Sequence, residues 1–214
     1  MEENLTIADL ERRMRPGGYS TGGFLGEHES LLAVISRDAH TLNVLDITFE
    51  QISDALEHIL QRAFTKREEI KKKNYQEYDR RENSEPKWHI PRFPSIDGHE
   101  SVPRFTINRL PSIQVGYLVE KNMQVFLNQY RGSQCCPWGC DPETWGQFTW
   151  GYFDFLIVNR RKGLFFTGPG MIIHLIRDHH FFEGLKSPYR VSPTKLALTL
   201  GLLTKSNPDR DRYK

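Results

Sequence analysis

The sequence predicts an α+β protein with an N-terminal helical hairpin, a charged linker, and then an antiparallel β-sheet that carries two short helices. Two observations support this class. In the first 64 residues apolar side chains recur every three or four positions, which is the period of an amphipathic helix. After residue 104 the chain changes to short runs rich in β-branched and aromatic residues, separated by turn signals. Because the helices precede the strands and do not alternate with them, α+β is favoured over a parallel βαβ fold.

The N-terminal half contains three predicted helices. Residues 6–14 form a short helix, with Thr6 as its N-cap and Gly17 as its stop, and a glycine-rich loop follows. A second helix is predicted over residues 27–42. A third begins at Thr48, because Thr48 and Gln51 have the spacing of a capping box. The short link between the last two helices predicts an antiparallel hairpin.

The apolar stripe stops where a strongly charged segment begins. Residues 65–82 are almost all charged or polar, and they either prolong the helix into solvent or form a disordered segment. Four prolines between residues 86 and 103 then indicate an irregular linker. We therefore expect four parts: a helical hairpin with a charged arm over 1–83, a Pro-rich linker over 84–103, a β-rich core domain over 104–204 and a flexible tail over 205–214.

The C-terminal half contains the predicted sheet. A hairpin turn is expected at residues 120–122 and another at residues 160–163, because both segments are polar and separate apolar runs. The strands themselves are predicted over residues 105–107, 114–119, 123–127, 147–158 and 164–166.

Two short helices complete the predicted fold. Pro169 lies between two glycines, so we expect it to end the last strand and to start a helix over residues 171–178. The final helix begins at Ser192, an N-cap followed by a proline at the first helical position, and ends near Gly201.

Charge is distributed unevenly along the chain. The net charge is +2, but residues 1–64 carry a net charge of −6 and residues 105–214 carry +6. Such asymmetry favours attraction between subunits or to another protein, and we expect a protein partner or self-association through residues 27–83. The positive surplus is too small to indicate nucleic-acid binding. The sequence contains no apolar run of membrane-spanning length and does not begin like a signal peptide, so we predict a cytoplasmic protein without membrane contact.

A candidate zinc site comes from the cysteines and histidines. All three cysteines lie in residues 135–140, and three histidines lie in residues 174–180. Zinc prefers thiolate and imidazole ligands in a tetrahedral arrangement. Converging imidazoles require the helix to break at Asp178, because the histidines are not four residues apart. The primary ligand set is Cys136, Cys140, His174 and His180, and the alternative or supporting residues are Cys135, Asp178, His179 and Glu183.

The same residues have other interpretations. Without a metal, the cysteines are ordinary reduced thiols, and Cys136 and Cys140 could also form a redox pair. Asp178 follows His174 by four residues, so a carboxylate–imidazole pair is expected whether or not a metal binds.

Two functions follow from these patterns. The first is a cytoplasmic binding or accessory protein, stabilised by a structural zinc ion. The alternative is a metal-dependent hydrolase of a phosphate-containing substrate, so the sequence leaves enzyme activity undecided. In the hydrolase the active site would draw on the cysteine–histidine residues and Glu183, and the candidate anion-binding side chains are Arg160, Arg161 and Arg177.

Overall fold

The computed structural model describes residues 5–80, 116–140 and 151–203. Within these ranges the helices precede the strands, and two short helices follow the sheet, which confirms the predicted α+β class. The elements are α1 (Ile7–Met14), α2 (Leu31–Leu45), α3 (Phe49–Arg80), β1 (Gly116–Glu120), β2 (Met123–Gln134), β3 (Gly151–Asn159), β4 (Leu164–Pro169), α4 (Ile172–His179) and α5 (Pro193–Leu200).

The four strands form one antiparallel sheet in the order β1-β2-β3-β4. Each strand pairs with the next one in the sequence. The predicted turns at residues 120–122 and 160–163 connect β1 to β2 and β3 to β4. Val125 pairs with Ile157, and Ile157 pairs with Phe166, so three apolar side chains lie side by side across the sheet. The predicted strand over 105–107 and the first residues of the one over 147–158 lie outside the described ranges.

The helix starts follow the capping residues in the sequence. The Thr6 hydroxyl accepts the Asp9 amide at 3.2 Å. In the capping box, Thr48 and Gln51 each accept the backbone N–H of the other, at 2.9 and 3.1 Å. Helix α2 begins at Leu31, four residues later than predicted, because Ser30 caps it.

The backbone shows where α3 ends and where α4 begins. Helix α3 continues through the charged segment to Arg80, so the helical alternative holds there. Pro169 does not start a helix: it pairs with Asp154 at the end of β4, and α4 begins at Ile172. The Gly170 amide donates to the Phe153 carbonyl at 2.8 Å, which extends the sheet past the proline before the chain turns.

A single apolar cluster includes residues from all five helices and all four strands. Helix α4 lies within it, and Ile172, Ile173, Leu175 and Ile176 are fully buried. Helix α3 packs against α4, β1 and β2, while α2 packs against α5. The predicted linker over 84–103 and tail over 205–214 lie outside the described ranges. None of the helices in the described part of the chain has the length and apolarity needed to cross a membrane.

Candidate metal centre

A tight turn after β2 brings the sulfur atoms of Cys136 and Cys140 close together. The Gly139 amide donates to the Cys136 carbonyl at 2.9 Å, and Gly139 has a φ of +80°, which glycine adopts without steric cost. The backbone amides of Trp138 and Cys140 act to lower the pKa of the Cys136 thiol, although burial acts more strongly in the opposite direction. A lower pKa favours the thiolate, the form of cysteine that binds metals.

Helix α4 supplies the two imidazoles, one from its first turn and one from its last residue. His174 and His179 are five residues apart, which corresponds to about 140° around a helix axis. Their side chains nevertheless converge, with ring centroids 4.8 Å apart and nearly perpendicular planes. The expected break at Asp178 is wrong by one residue: the helix includes His179, and His180 caps it in the left-handed conformation with a φ of +53°.

The four side chains place one donor atom each around a common point. Cys136, Cys140, His174 and His179 have donor atoms that all lie within 4.8 Å of one another. His179 Nε2 is 3.2 Å from His174 Nε2 and 3.3 Å from Cys140 Sγ. Cys136 Sγ is 3.3 Å from His174 Nε2 and 3.4 Å from His179 Nε2. A zinc tetrahedron has edges of about 3.3 Å between nitrogens and about 3.6 Å between nitrogen and sulfur, so these distances are close to those of a zinc site.

Hydrogen bonds alone do not account for these contacts. A neutral imidazole has a single N–H, whereas His179 Nε2 has three neighbours at 3.2–3.4 Å. One of these neighbours is His174 Nε2. In a neutral His174 with its proton on Nδ1, Nε2 carries no proton to donate. A cation at the centre would be attracted by the lone pairs of all four donors at once.

Asp178 orients the first of the two imidazoles. Its Oδ2 is 2.5 Å from His174 Nδ1, and the two residues are separated by one helical turn. A carboxylate at that nitrogen keeps the proton on Nδ1 and leaves the Nε2 lone pair directed at the cysteines. The carboxylate–imidazole pair expected from the sequence is therefore present.

Trp138 orients the second imidazole. Its ring stacks on His179 with a centroid distance of 3.9 Å and an interplanar angle of 4°, and its edge contacts Phe181. Sequence reasoning did not assign this role to Trp138. Its position in the sequence could have indicated this role. A tryptophan between two cysteines in a turn exposes a large apolar surface unless it packs against a neighbouring group.

Burial sets the protonation of the cluster before any cation binds. It raises the pKa of the Cys136 thiol to about 12 and lowers the pKa of His179 to about 4. Burial also lowers the pKa of His174, although the neighbouring Asp178 acts in the opposite direction. Both imidazoles are therefore neutral at pH 7, with lone pairs available. The Cys136 thiol must release its proton when a cation binds.

The other candidate ligands lie elsewhere. His180, a member of the primary ligand set, stacks on Phe49 at 4.3 Å, because its left-handed backbone turns it away from the cluster. His179, the alternative, takes that place. Cys135 is exposed, and Glu183 is buried beside Ser187, with its Oε2 2.5 Å from the Ser187 hydroxyl oxygen.

The candidate anion-binding arginines are not gathered in one place. Arg177 contacts Asp54 at 2.9 Å and Glu57 at 2.6 Å, and it thereby ties α4 to α3. Arg160 and Arg161 are exposed on the turn between β3 and β4. The structure thus gives Arg177 two carboxylate partners from its own chain.

Comparisons with protein-family models, with curated proteins and with solved structures found no match for this chain. Its class therefore follows from the fold and the site alone. It is an α+β protein in which a turn after β2 and helix α4 place two cysteines and two histidines close enough to hold a metal ion.

Proposed function

We propose that this chain is a binding or accessory protein that holds one structural zinc ion through Cys136, Cys140, His174 and His179. The spacing of the four donor atoms carries the proposal, because it is close to that of a zinc tetrahedron. The carboxylate on His174 and the ring stacked on His179 support it, since metal-bound imidazoles are usually oriented by neighbouring groups.

The ligand set favours a structural ion over a catalytic one. Four protein donors complete the tetrahedral shell, whereas catalytic zinc sites keep one position for water or substrate. The hydrolase alternative also needs Glu183 and Arg177 near the metal. Glu183 is instead buried beside Ser187, and Arg177 pairs with Asp54 and Glu57. We therefore do not adopt the hydrolase as the function of this site.

The ion would connect elements that are distant in the sequence. The cysteine turn follows β2 at the sheet, while the histidines belong to α4, which packs against α3. A bound zinc would connect this helix to the turn that follows β2, in addition to the apolar contacts of Ile172 and Ile173. Thiols stay reduced in the cytosol, so ligation by Cys136 and Cys140 is compatible with the cytoplasmic location that we propose.

Metal analysis tests the zinc site directly. We expect about one zinc per purified chain by elemental mass spectrometry, and a loss of that zinc in Cys140→Ser. Cys135→Ser is the matched control, because Cys135 belongs to the same turn but is exposed and outside the cluster. Equal metal content in the two variants would contradict the assignment.

Cobalt substitution tests whether the site is closed. Co²⁺ bound by two thiolates and two imidazoles should show intense tetrahedral d–d absorption and a sulfur-to-cobalt charge-transfer band. The spectrum should not change when phosphate or other small anions are added, since no coordination position is open. A spectrum that responds to added anions would point to an open, catalytic type of site.

The accessory role rests on the N-terminal helices. Leu32 on α2 is 58% exposed and Ile70 on α3 is 40% exposed, although both are apolar. These residues lie in the segment 27–83, for which we propose a protein partner or a second copy of the chain. Because α2 and α3 share the apolar core with the sheet, deletion of this segment would remove part of the core. Point substitutions on its surface are the better test.

We expect Leu32→Gln together with Ile70→Gln to weaken association, measured by sedimentation velocity for self-association and by cross-linking for another partner. Leu118→Gln is the control, since Leu118 is equally exposed at 43% but lies on β1. If the double variant and the control associate alike, the surface of residues 27–83 is not the interface.

A further inference from the structure

A cavity of about 410 Å³ separates α2 from the segment that leads into α5. This volume lies within the range of sites for small molecules. Helix α2 contributes Arg37, His40 and Val44, which follow one another by three and four residues and therefore share one helix face. Leu185 and Thr194 belong to the opposite wall. None of the four candidate zinc ligands lines this cavity.

The charges that line the cavity leave one cation without a partner. Asp38 is buried, and its two carboxylate oxygens accept hydrogen bonds from the Arg190 guanidinium at 2.5 and 2.6 Å. This pair is neutral as a whole. Arg37 is exposed at the cavity, and among the side chains that the structure describes no carboxylate forms an ion pair with it. The cavity is therefore electropositive.

The start of helix α5 adds hydrogen-bond donors to the same wall. Ser192 and Thr194 both line the cavity, and Thr194 is in the first turn of the helix, after Pro193. The amides of a first helical turn have no acceptor within the helix, and they carry partial positive charge. The Ser192 hydroxyl satisfies the Lys195 amide, not that of Thr194.

The rest of the lining is apolar. Val44, Leu45, Leu185 and Pro193 face the space, and Leu185 keeps 40% of its surface exposed. An exposed leucine beside a cavity gains free energy when a ligand covers it. The cavity therefore combines a positive end with an apolar wall.

We propose that this cavity binds a small organic anion, whose carboxylate or phosphate group contacts Arg37 and the start of α5 while its apolar body lies against Val44 and Leu185. This inference is independent of the zinc site. Arg37 supplies the charge, the fork-shaped guanidinium suits planar oxyanions, and the helix start adds neutral donors.

Benzoate, benzamide and inorganic phosphate are suitable probes for the purified full-length chain, with binding followed by ¹H–¹⁵N NMR. Benzoate should shift the amide signals of residues around the cavity. Benzamide has the same shape without the charge, and it should bind at least about tenfold more weakly, since a hydrogen bond to a charged group is worth that much or more. Inorganic phosphate should perturb the Arg37 end alone.

Two substitutions separate the two ends of the cavity. Arg37→Gln should weaken benzoate binding about tenfold, whereas Arg62→Gln, an exposed arginine on α3 outside the cavity, should have no effect. Leu185→Ala should weaken benzoate but leave phosphate unchanged, because it removes only apolar contact.

The proposal is overturned if benzoate and benzamide bind equally, if neither benzoate nor phosphate perturbs the cavity amides, or if the two arginine variants behave alike. Both arginines are exposed, so the variants should fold as the wild type does, and the NMR spectra verify this in the same experiment.

Discussion

Two largely buried polar clusters differ in how their polar atoms are satisfied. The metal cluster consists of Cys136, Cys140, His174 and His179. The second, which we call the carboxyl cluster, consists of Asp38, Glu183, Ser187 and Arg190. In the metal cluster, four potential ligand atoms lie within 4.8 Å of one another, and His179 Nε2 alone has three neighbours at 3.2–3.4 Å. In the carboxyl cluster, almost every polar atom has a partner from the chain.

The carboxyl cluster is consistent with a protonated Glu183. The Ser187 hydroxyl lies 2.5 Å from Glu183 Oε2 and 3.1 Å from the Gly23 carbonyl, but it has only one proton. If Glu183 carries a proton, it donates to Ser187, and Ser187 donates to Gly23. The Arg190 guanidinium binds Asp38 on one side and the Glu183 carbonyl on the other.

The difference shows which of the two clusters requires a bound ligand to satisfy its polar atoms. Buried polar atoms are normally paired, and an unpaired one is costly. The carboxyl cluster is satisfied by the chain itself, with Glu183 Oε1 its one unpaired side-chain atom among the described residues. In the metal cluster, the zinc ion that we propose would supply the missing interactions. We therefore expect the metal cluster to depend on a ligand for stability and the carboxyl cluster to depend on pH.

The largest expected effect is removal of the metal. The free energy of structural zinc binding in small zinc domains is about 10–16 kcal/mol, and it contributes directly to folding. A chelator should therefore lower the melting temperature of the wild type strongly, and Cys140→Ser should be unstable with or without chelator. Thermal unfolding followed by circular dichroism measures this. If the wild type has the same melting temperature with and without chelator, the metal cluster does not depend on a bound ion for stability.

The next effect concerns the ion pair of the carboxyl cluster. Asp38→Ala leaves the guanidinium of Arg190 buried without its carboxylate, and we expect a loss of about 3–5 kcal/mol in the free energy of unfolding. Asp54→Ala is the matched control, because Asp54 pairs with Arg177 but is 71% exposed. It should cost less than about 1 kcal/mol. Urea unfolding gives both values, and equal losses would show that burial does not distinguish the pairs.

The pH dependence of stability should come in part from Glu183. Burial raises its pKa to about 8 from an ordinary value of 4.5. Between these values the folded chain keeps the proton and the unfolded chain releases it, so rising pH favours unfolding by up to about 1.4 kcal/mol per pH unit. Below pH 4.5 and above pH 8 this contribution is constant.

Glu183→Gln should abolish that slope, since a neutral amide cannot ionise. Urea unfolding of wild type and variant between pH 5 and pH 9 measures the difference, which isolates Glu183 from the other titrating groups. Parallel profiles for the two proteins would mean that Glu183 is ionised in the fold.

The smallest expected effect is on the orientation of His174. Asp178→Asn should weaken zinc affinity by about 10- to 100-fold, because groups that orient a ligand act on this scale, while the ion remains bound at high concentration. Competition with a chromogenic chelator measures the affinity. Glu120→Gln, an exposed carboxylate on β1, is the control for charge alone. A change as large as that of Cys140→Ser would indicate that Asp178 is itself a ligand.

The sequence by itself determined the local elements. Thr6, the Thr48–Gln51 capping box, Ser192 and Gly201 set the ends of helices through contacts within a few residues, so these ends could be predicted. The cysteine turn and the pairing of Asp178 with His174 could be predicted for the same reason, because both involve residues at most four apart.

Only the tertiary structure decided which histidine joins the cysteines. His179 and His180 are adjacent, and the choice depends on whether the helix ends before or after Asp178. Its actual end is set by His180 in the left-handed conformation and by the packing of His180 on Phe49, a residue far away in the sequence. The stacking of Trp138 on His179 likewise joins elements separated by β3 and β4.

The same reason applies to the cavity beside α2 and to the carboxyl cluster. Asp38 and Arg190 meet across 152 positions of the chain, and neither residue has a local pattern that indicates its partner. Local hydrogen bonds and the periodicity of apolar residues relate positions about one helical turn apart, so they specify helices, strands and helix caps. Which polar groups meet, and what they can bind, depends on how those elements pack around the shared apolar core.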